Sequence, residues 1–207
     1  MGIKERKEKK KLELKQEILE ASVKLFSEHG YEGVSIRKIA EVIEYSPTTV
    51  YLYFKDKNEI LFELHEMGFR KFDELNQNLQ NISNPLLRLH KLNENYVKFG
   101  LENPEYYDLM FLIPAPIEFL DNMQNGKWCG GDKAIGILTS ALQECMDRKL
   151  IKKSELNVMA MTIWSIVHGL VSLTIRKRLG KIVPEKEIES TIAKSLNWII
   201  EIIDITH

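Results

Sequence analysis

"EYSPTTVYLYFKDKNEI", Glu44 to Ile60, sets two threonines among aromatic rings and runs at once into two lysines. Ser46 followed by Pro47 starts a helix, as a capping hydroxyl and a proline at the first helical position, where no N–H is missed. At 100° per residue Val50 and Phe54 fall together and, with Ile39 and Leu25, can close a small three-helix core. The opposite face holds Thr48, Thr49 and Leu52, flanked by Tyr51 and Tyr53, with Lys55 and Lys57 just beyond. A helix that only had to fold would keep its rings on one side. Short hydroxyl side chains let a helix approach another surface closely. Phenols, hydroxyls and lysines donate to phosphate oxygens. The competing reading of Tyr51 and Tyr53 is that they cap the small core.

Outward from this stretch nearly every segment has helical period and none alternates over a useful length. A first helix is expected from about Leu12 to His29, with Ile18, Ala21, Ser22, Leu25 and Phe26 on one face and Gly30 as its stop. Ser35 caps a short second helix, "SIRKIAEVIE", buried through Ile36, Ile39, Ala40 and Ile43. The third helix runs from Ser46-Pro47 to near Lys55, and a long fourth from Lys57 to about Gln80. Asn84-Pro85 and Asn103-Pro104 mark the next boundaries. The run 114–131 reads as broken and loop-like. Further helices are expected over about 132–148, 154–179 and 185–205. The fold class is therefore all-α with about nine helices. A three-helix domain with a basic arm occupies 1–57 and a larger helical domain 58–207.

The chain has 207 residues, 44% hydrophobic and 29% charged, with a net charge of −1, so no global basic excess points to a partner. The charge is uneven: residues 1–15 carry seven Lys/Arg against three Glu. Cys129 and Cys145 suit no disulfide framework or zinc site, and a reducing cytoplasm is expected. "VMAMTIWSIVHGLVSLTI", Val158 to Ile175, sits at the lower length limit for a membrane span. Its Ser, Thr, His and Gly favour a helix buried between protein neighbours instead.

Two short helices joined by a tight turn, the second presenting a hydroxyl-rich face, are what a helix-turn-helix needs to enter a major groove. The segment Ile18 to Leu61, through "LFSEHGYEGVSIRKIA" and "SPTTVYLYFKDKNEI", resembles the DNA-binding domain of the TetR family of bacterial transcription regulators. The resemblance implies a two-domain homodimer whose C-terminal pocket controls DNA binding by the N-terminal domain. It places Ser35 and Arg37 at a backbone or base edge, Ser46, Thr48, Thr49 and Leu52 at the groove, and Tyr51, Tyr53, Lys55 and Lys57 on phosphates. Two residues depart from the family pattern. Glu44 stands where a turn glycine is usual, and a non-glycine residue at φ > 0 costs roughly 1 kcal/mol. Leu52 cannot hydrogen-bond a base, though it can pack on a thymine methyl.

The second half resembles the family less closely. "WSIVHGLVSL", Trp164 to Leu173, is similar to a subclass with a Trp-His-Gly signature. Expected pocket walls are Tyr96, Phe99, Tyr106, Tyr107, Met110, Phe111, Trp128, Met161, Trp164 and His168, which suit a small apolar or aromatic effector. The run 114–131 is a candidate lid. The isoleucine-rich last helix exceeds what one inward face can use, so Val171, Ile175, Ile192, Leu196, Ile199 and Ile203 are the expected contact with a second copy. The five histidines show no metal spacing and no phosphate loop is present, so neither metal, cofactor nor enzymatic activity is expected. The expected partners are double-stranded DNA, a small-molecule effector and a second copy, without a membrane. The expected function is a repressor released from a pseudo-palindromic operator by its effector. The alternative is a helical ligand-binding module that has lost sequence-specific DNA binding.

Overall fold

The computed structural model describes residues 2–113 and 129–206. They divide into two compact units, one drawn from Met1–Gly68 with Glu105–Lys127, the other from Phe69–Pro104 with Trp128–His207. The described residues form nine α-helices, and their only extended pairing is an isolated bridge between Ile151 and Asp204. The fold is all-α, with a helix-turn-helix at the N-terminal end and a helical bundle after it.

The first unit is built on α1 (Ile3–His29), α2 (Ile36–Val42), α3 (Pro47–Tyr51) and the start of α4 (Lys57–Asn76). The capping signals lie where the sequence puts them. Ser35 Oγ accepts from the Lys38 N–H at 3.2 Å, and Ser46 Oγ from the Thr49 N–H at 3.1 Å. Gly30 ends α1 at φ 68°, its N–H donating to the Phe26 carbonyl at 2.9 Å. Ile18, Phe26, Ile39, Val50, Phe54 and Ile60 are fully buried in one core. Burying a side chain of this size stabilises by about 1.5–3 kcal/mol each. A short α6 (Pro104–Tyr107) passes into a π-helical turn, Asp108–Leu112, which sends Leu109 into the same core.

Several boundaries differ from the expected ones. α1 begins at Ile3 instead of near Leu12, because its first turns are Lys and Glu, good helix formers that carry no apolar period. α3 stops at Tyr51 rather than running on to Lys55. α4 stops at Asn76, whose side-chain amide donates to the Phe72 carbonyl at 2.8 Å, and a 3-10 turn, Leu79–Asn81, follows.

In the second unit α5 (Pro85–Glu102) packs against α7 (Cys129–Asp147), α8 (Leu156–Ile175) and α9 (Ile188–Ile203). Asn84 caps α5 through the Leu86 N–H at 2.9 Å, with Pro85 at the first position. Arg88 donates to the Ile82 carbonyl from Nε (3.1 Å) and Nη2 (2.9 Å), and to Glu144 from Nη1 (2.6 Å). These bonds strap the turn before α5 onto α7. α8 ends with Lys177 in the left-handed region at φ 55°. The Ile205 N–H donates to the Leu150 carbonyl at 2.9 Å and holds the far end of α9 on the α7–α8 connection.

α8 is long and apolar enough to cross a membrane by length and composition. The expectation that protein encloses it is met on one face only, since 22% of its apolar window is buried. Ala160, Ile163, Val167 and Val171 face inward, while Val158, Met161 and Leu173 are exposed. The residues expected to meet a second copy are largely covered by their own chain. Val171, Ile192, Leu196 and Ile199 are buried in the unit's own core, and Ile175 and Ile203 are half-buried. Side chains already packed against their own chain have little surface to give a partner. The exposed apolar residues of α9 are Trp198 and Ile202.

Candidate nucleic-acid interface

α2, a four-residue turn and α3 form the hairpin. The turn closes through the Tyr45 N–H, which donates to the Ala40 carbonyl at 2.9 Å, and Glu44 stands in the left-handed region at φ 58°. The expected departure from glycine is therefore accommodated with the backbone a glycine would take, at roughly 1 kcal/mol of strain. Val50 at 0% and Phe54 at 2% exposure anchor α3 from below.

Above that anchor Thr48, Tyr51 and Leu52 project outward, and Leu52 is 74% exposed. Ser35 and Arg37 are exposed at the start of α2, and Lys55 is exposed beyond α3. Ser46 and Thr49 are partly engaged with each other: their hydroxyls lie 2.9 Å apart while Ser46 caps the helix. Tyr53 is half-buried against the core, so the core-capping reading describes it better than it describes Tyr51.

Lys57 is the residue whose surroundings differ most from the sequence reading. Its ammonium donates to the Tyr31 carbonyl at 3.0 Å and the Val34 carbonyl at 3.5 Å. It sits 3.9 Å from the Tyr31 ring centroid and 3.8 Å from the Glu32 carboxylate. The Tyr31 hydroxyl bonds the Asn58 side chain, and burial raises its pKa, so it stays a donor. Lys57 thus clamps the α1–α2 connection. Sequence reasoning also missed Val42 and Tyr45, both exposed beside the turn. Tyr45 stands directly before the Ser46 cap, and that position was the available signal.

The expected pocket residues divide between the units. In the second, the Trp164 Nε1–H donates to the Tyr96 hydroxyl at 3.0 Å, and that hydroxyl lies 3.1 Å from His168 Nδ1. Phe72 meets Tyr96 and Phe99 edge-on, with centroids 5.8 and 5.7 Å away. Burial holds the His168 imidazole below its ordinary pKa, which favours the neutral ring. Met161 is 47% exposed. In the first unit Tyr107 and Met110 are buried, Phe111 lies 5.0 Å from the Tyr107 ring, and Tyr106 packs on the core. Trp128 and most of the expected lid over 114–131 lie outside the described residues. Sequence reasoning did not find a cleft of about 920 Å³ in the second unit, lined by Asp73, Asn76, Arg88, Lys133 and Ser140. Leu79, Ile137 and Ala141 complete a lining that mixes polar and apolar surface, with Lys133 bonded to Asp73 at 2.5 Å.

Among the described residues no group of three His, Cys, Asp or Glu is placed to hold a metal ion. Cys145 is buried and its thiol is pushed up to about 11, so it packs as a neutral group rather than serving as a nucleophile.

The buried anchor, turn and exposed face make this a helix-turn-helix protein with an added helical domain. Residues 18–64 match the family described as bacterial regulatory proteins, tetR family, and residues 89–194 match the tetracyclin repressor-like C-terminal domain. The chain belongs to the TetR family of transcriptional regulators, which are not enzymes.

Over 50 residues it is 38% identical to the transcriptional repressor AcnR of Corynebacterium diphtheriae, covering 24% of this chain and 26% of that one. Over 58 residues it is 36% identical to the fatty acid metabolism regulator protein of Bacillus subtilis, covering 28% and 30%. The chain thus spans about a quarter to a third of the length of these curated relatives. The fatty acid degradation regulator FadR of Bacillus halodurans shares the fold with a TM-score of 0.73 at 16% identity, over 90% of this chain and 94% of that one.

Proposed function

We propose that the chain is a ligand-responsive repressor that binds a pseudo-palindromic DNA site as a dimer. The carrying observation is the outer face of α3, where Thr48, Tyr51 and a 74%-exposed Leu52 stand over the buried Val50 and Phe54. Arg37 and Thr48 reach base edges, Tyr51 and Lys55 reach phosphates, and Leu52 packs on a thymine methyl. Glu44 does not argue for a lost DNA function, because the turn closes around it.

The effector is a small apolar or aromatic molecule, and its site includes Tyr96, Trp164 and His168. The neutral imidazole and two polar ring edges suit a ligand with a carbonyl or hydroxyl on an apolar body. Relatives named for fatty acid metabolism agree with that chemistry. The Trp-His-Gly signature at Trp164, His168 and Gly169 supports membership of the corresponding subclass. α4 continues from the first unit into the second, so effector-driven movement of its far end displaces Lys57, and Lys57 carries the α1–α2 connection with it. An effector that favours the off-DNA arrangement weakens binding by its differential affinity, commonly about 1–3 kcal/mol. The second copy covers Trp198 and Ile202 of α9 with Val158, Met161 and Leu173 of α8.

Selection of bound duplexes from a random pool by the purified protein tests the reading. Enrichment of a two-fold half-site pair with thymine under Leu52 is expected. Binding without any enriched sequence would overturn the repressor assignment.

A further inference from the structure

We infer that the first turns of α1 are a rigid basic outrigger whose lysine stripe grips DNA phosphates beyond the recognition helix. The inference rests on the DNA-binding reading above. α1 is a single helix from Ile3 to His29, and residues 4–13 are all exposed. Because 18 residues make five whole turns, Lys4 and Lys7 stand on the same lines along the helix as the buried Ser22 and Leu25. Lys11 and Lys15 fall beside them, in line with the buried Ile18 and Phe26. The face that packs into the three-helix core therefore continues, past the end of that core, as a row of lysines.

The charges are sorted around the helix. Lys4, Arg6, Lys7, Lys10, Lys11 and Lys15 share one half of the circumference with no acid among them, while Glu5, Glu8 and Glu13 lie on the other half with Lys9. A merely solvated helix would mix the signs for i,i+4 pairing. Lys15 fixes where the row begins: its ammonium is 5.5 Å from the Phe54 ring centroid, just past α3, and 3.3 Å from Glu63 on α4. From there the row extends ~16 Å to Lys4 at 1.5 Å per residue. That reach, starting where the recognition helix ends, suits the phosphates flanking the bases read by α3. A single strand of phosphates is the complementary partner for a linear row of ammonium groups.

The test compares two full-length variants with equal charge change. Lys4→Gln/Lys7→Gln/Lys11→Gln removes the stripe, and Lys9→Glu/Leu12→Glu alters the opposite half. Helix content is checked by circular dichroism, and binding to the selected duplex, or to a mixed-sequence duplex if none is enriched, is followed across a salt series. Each lost phosphate contact lowers the slope of log K against log salt by about 0.9, so the stripe variant should lose roughly 2 to 3 per bound protomer. The opposite-half variant should keep the wild-type slope. Equal loss in both variants, or loss in neither, overturns the outrigger. A stripe effect without sequence enrichment would uphold it and sink the repressor reading instead, and no binding by the wild type would sink both.

Discussion

Replacing Lys57 by methionine separates a clamp from a phosphate contact. Methionine keeps most of the apolar stem and removes the ammonium. The lost interactions are a charge-assisted hydrogen bond to the Tyr31 carbonyl at 3.0 Å, a weaker one to Val34 at 3.5 Å, and a cation–π contact at 3.9 Å. The first is worth about 1.5–3 kcal/mol net, and the ring contact adds about 0.5–1 kcal/mol. The ion pair adds little, because Glu32 is 93% exposed. Methionine can still pack on the Tyr31 ring and recover part of this, which leaves an expected loss of roughly 2–3 kcal/mol. Urea unfolding measures it, at protein concentrations high enough to hold the oligomeric state constant. The salt dependence of DNA binding should hardly change, since the ammonium spends its donors inside the unit. Unchanged stability together with a slope lowered by about 0.9 would refute the clamp and restore Lys57 to the DNA face.

Burial pushes the His65 imidazole down to about 4, so the unfolded chain binds a proton from pH 6.5 downward that the native state refuses. Its contribution is fully present above pH 6.5 and falls by about 2 kcal/mol at pH 5. Urea midpoints at pH 7.5 and 5.0 should therefore move closer together in His65→Gln than in the wild type, and identical separations would contradict this. Glu44→Gly should gain a few tenths of a kcal/mol, the relieved strain being nearly offset by glycine's greater unfolded freedom. Glu44→Val at the same φ should lose more than 1 kcal/mol, and equal stability of the two would show that the turn is not held left-handed. The Asn93 side-chain N–H group is buried with no hydrogen-bond partner among the described residues. Asn93→Leu should therefore raise stability by about 1 kcal/mol, and a thermal melt that moves downward would show the amide has a use.

Local chemistry made much of the hairpin readable from sequence. Ser35, Ser46, Pro47 and Gly30 act on their own helix ends, and their roles need no knowledge of distant chain. The period of Val50 and Phe54 likewise fixed which face of α3 turns inward. What a long side chain reaches is not local, which is why Lys57 read as a surface cation. Nor does a helical stripe say which neighbour covers it. Ile192, Leu196 and Ile199 form a good apolar line, but only packing against α5 decides that this line is core and that Trp198 and Ile202 remain outside. The start of α1 was hidden for the opposite reason, since a helix held by lysine and glutamate propensity leaves no hydrophobic rhythm to find.

The bond from the Ile205 N–H to the Leu150 carbonyl, beside the Ile151–Asp204 bridge, pins one end of α9. Sliding α9 along α5 by one turn would break both links at once, so they fix the register in which it seats. The Ile205 amide is therefore a gauge of that seating. Its rate of exchange with deuterium should follow the undocking of α9, and a second copy that settles over Trp198 and Ile202 should slow it without touching the amide itself.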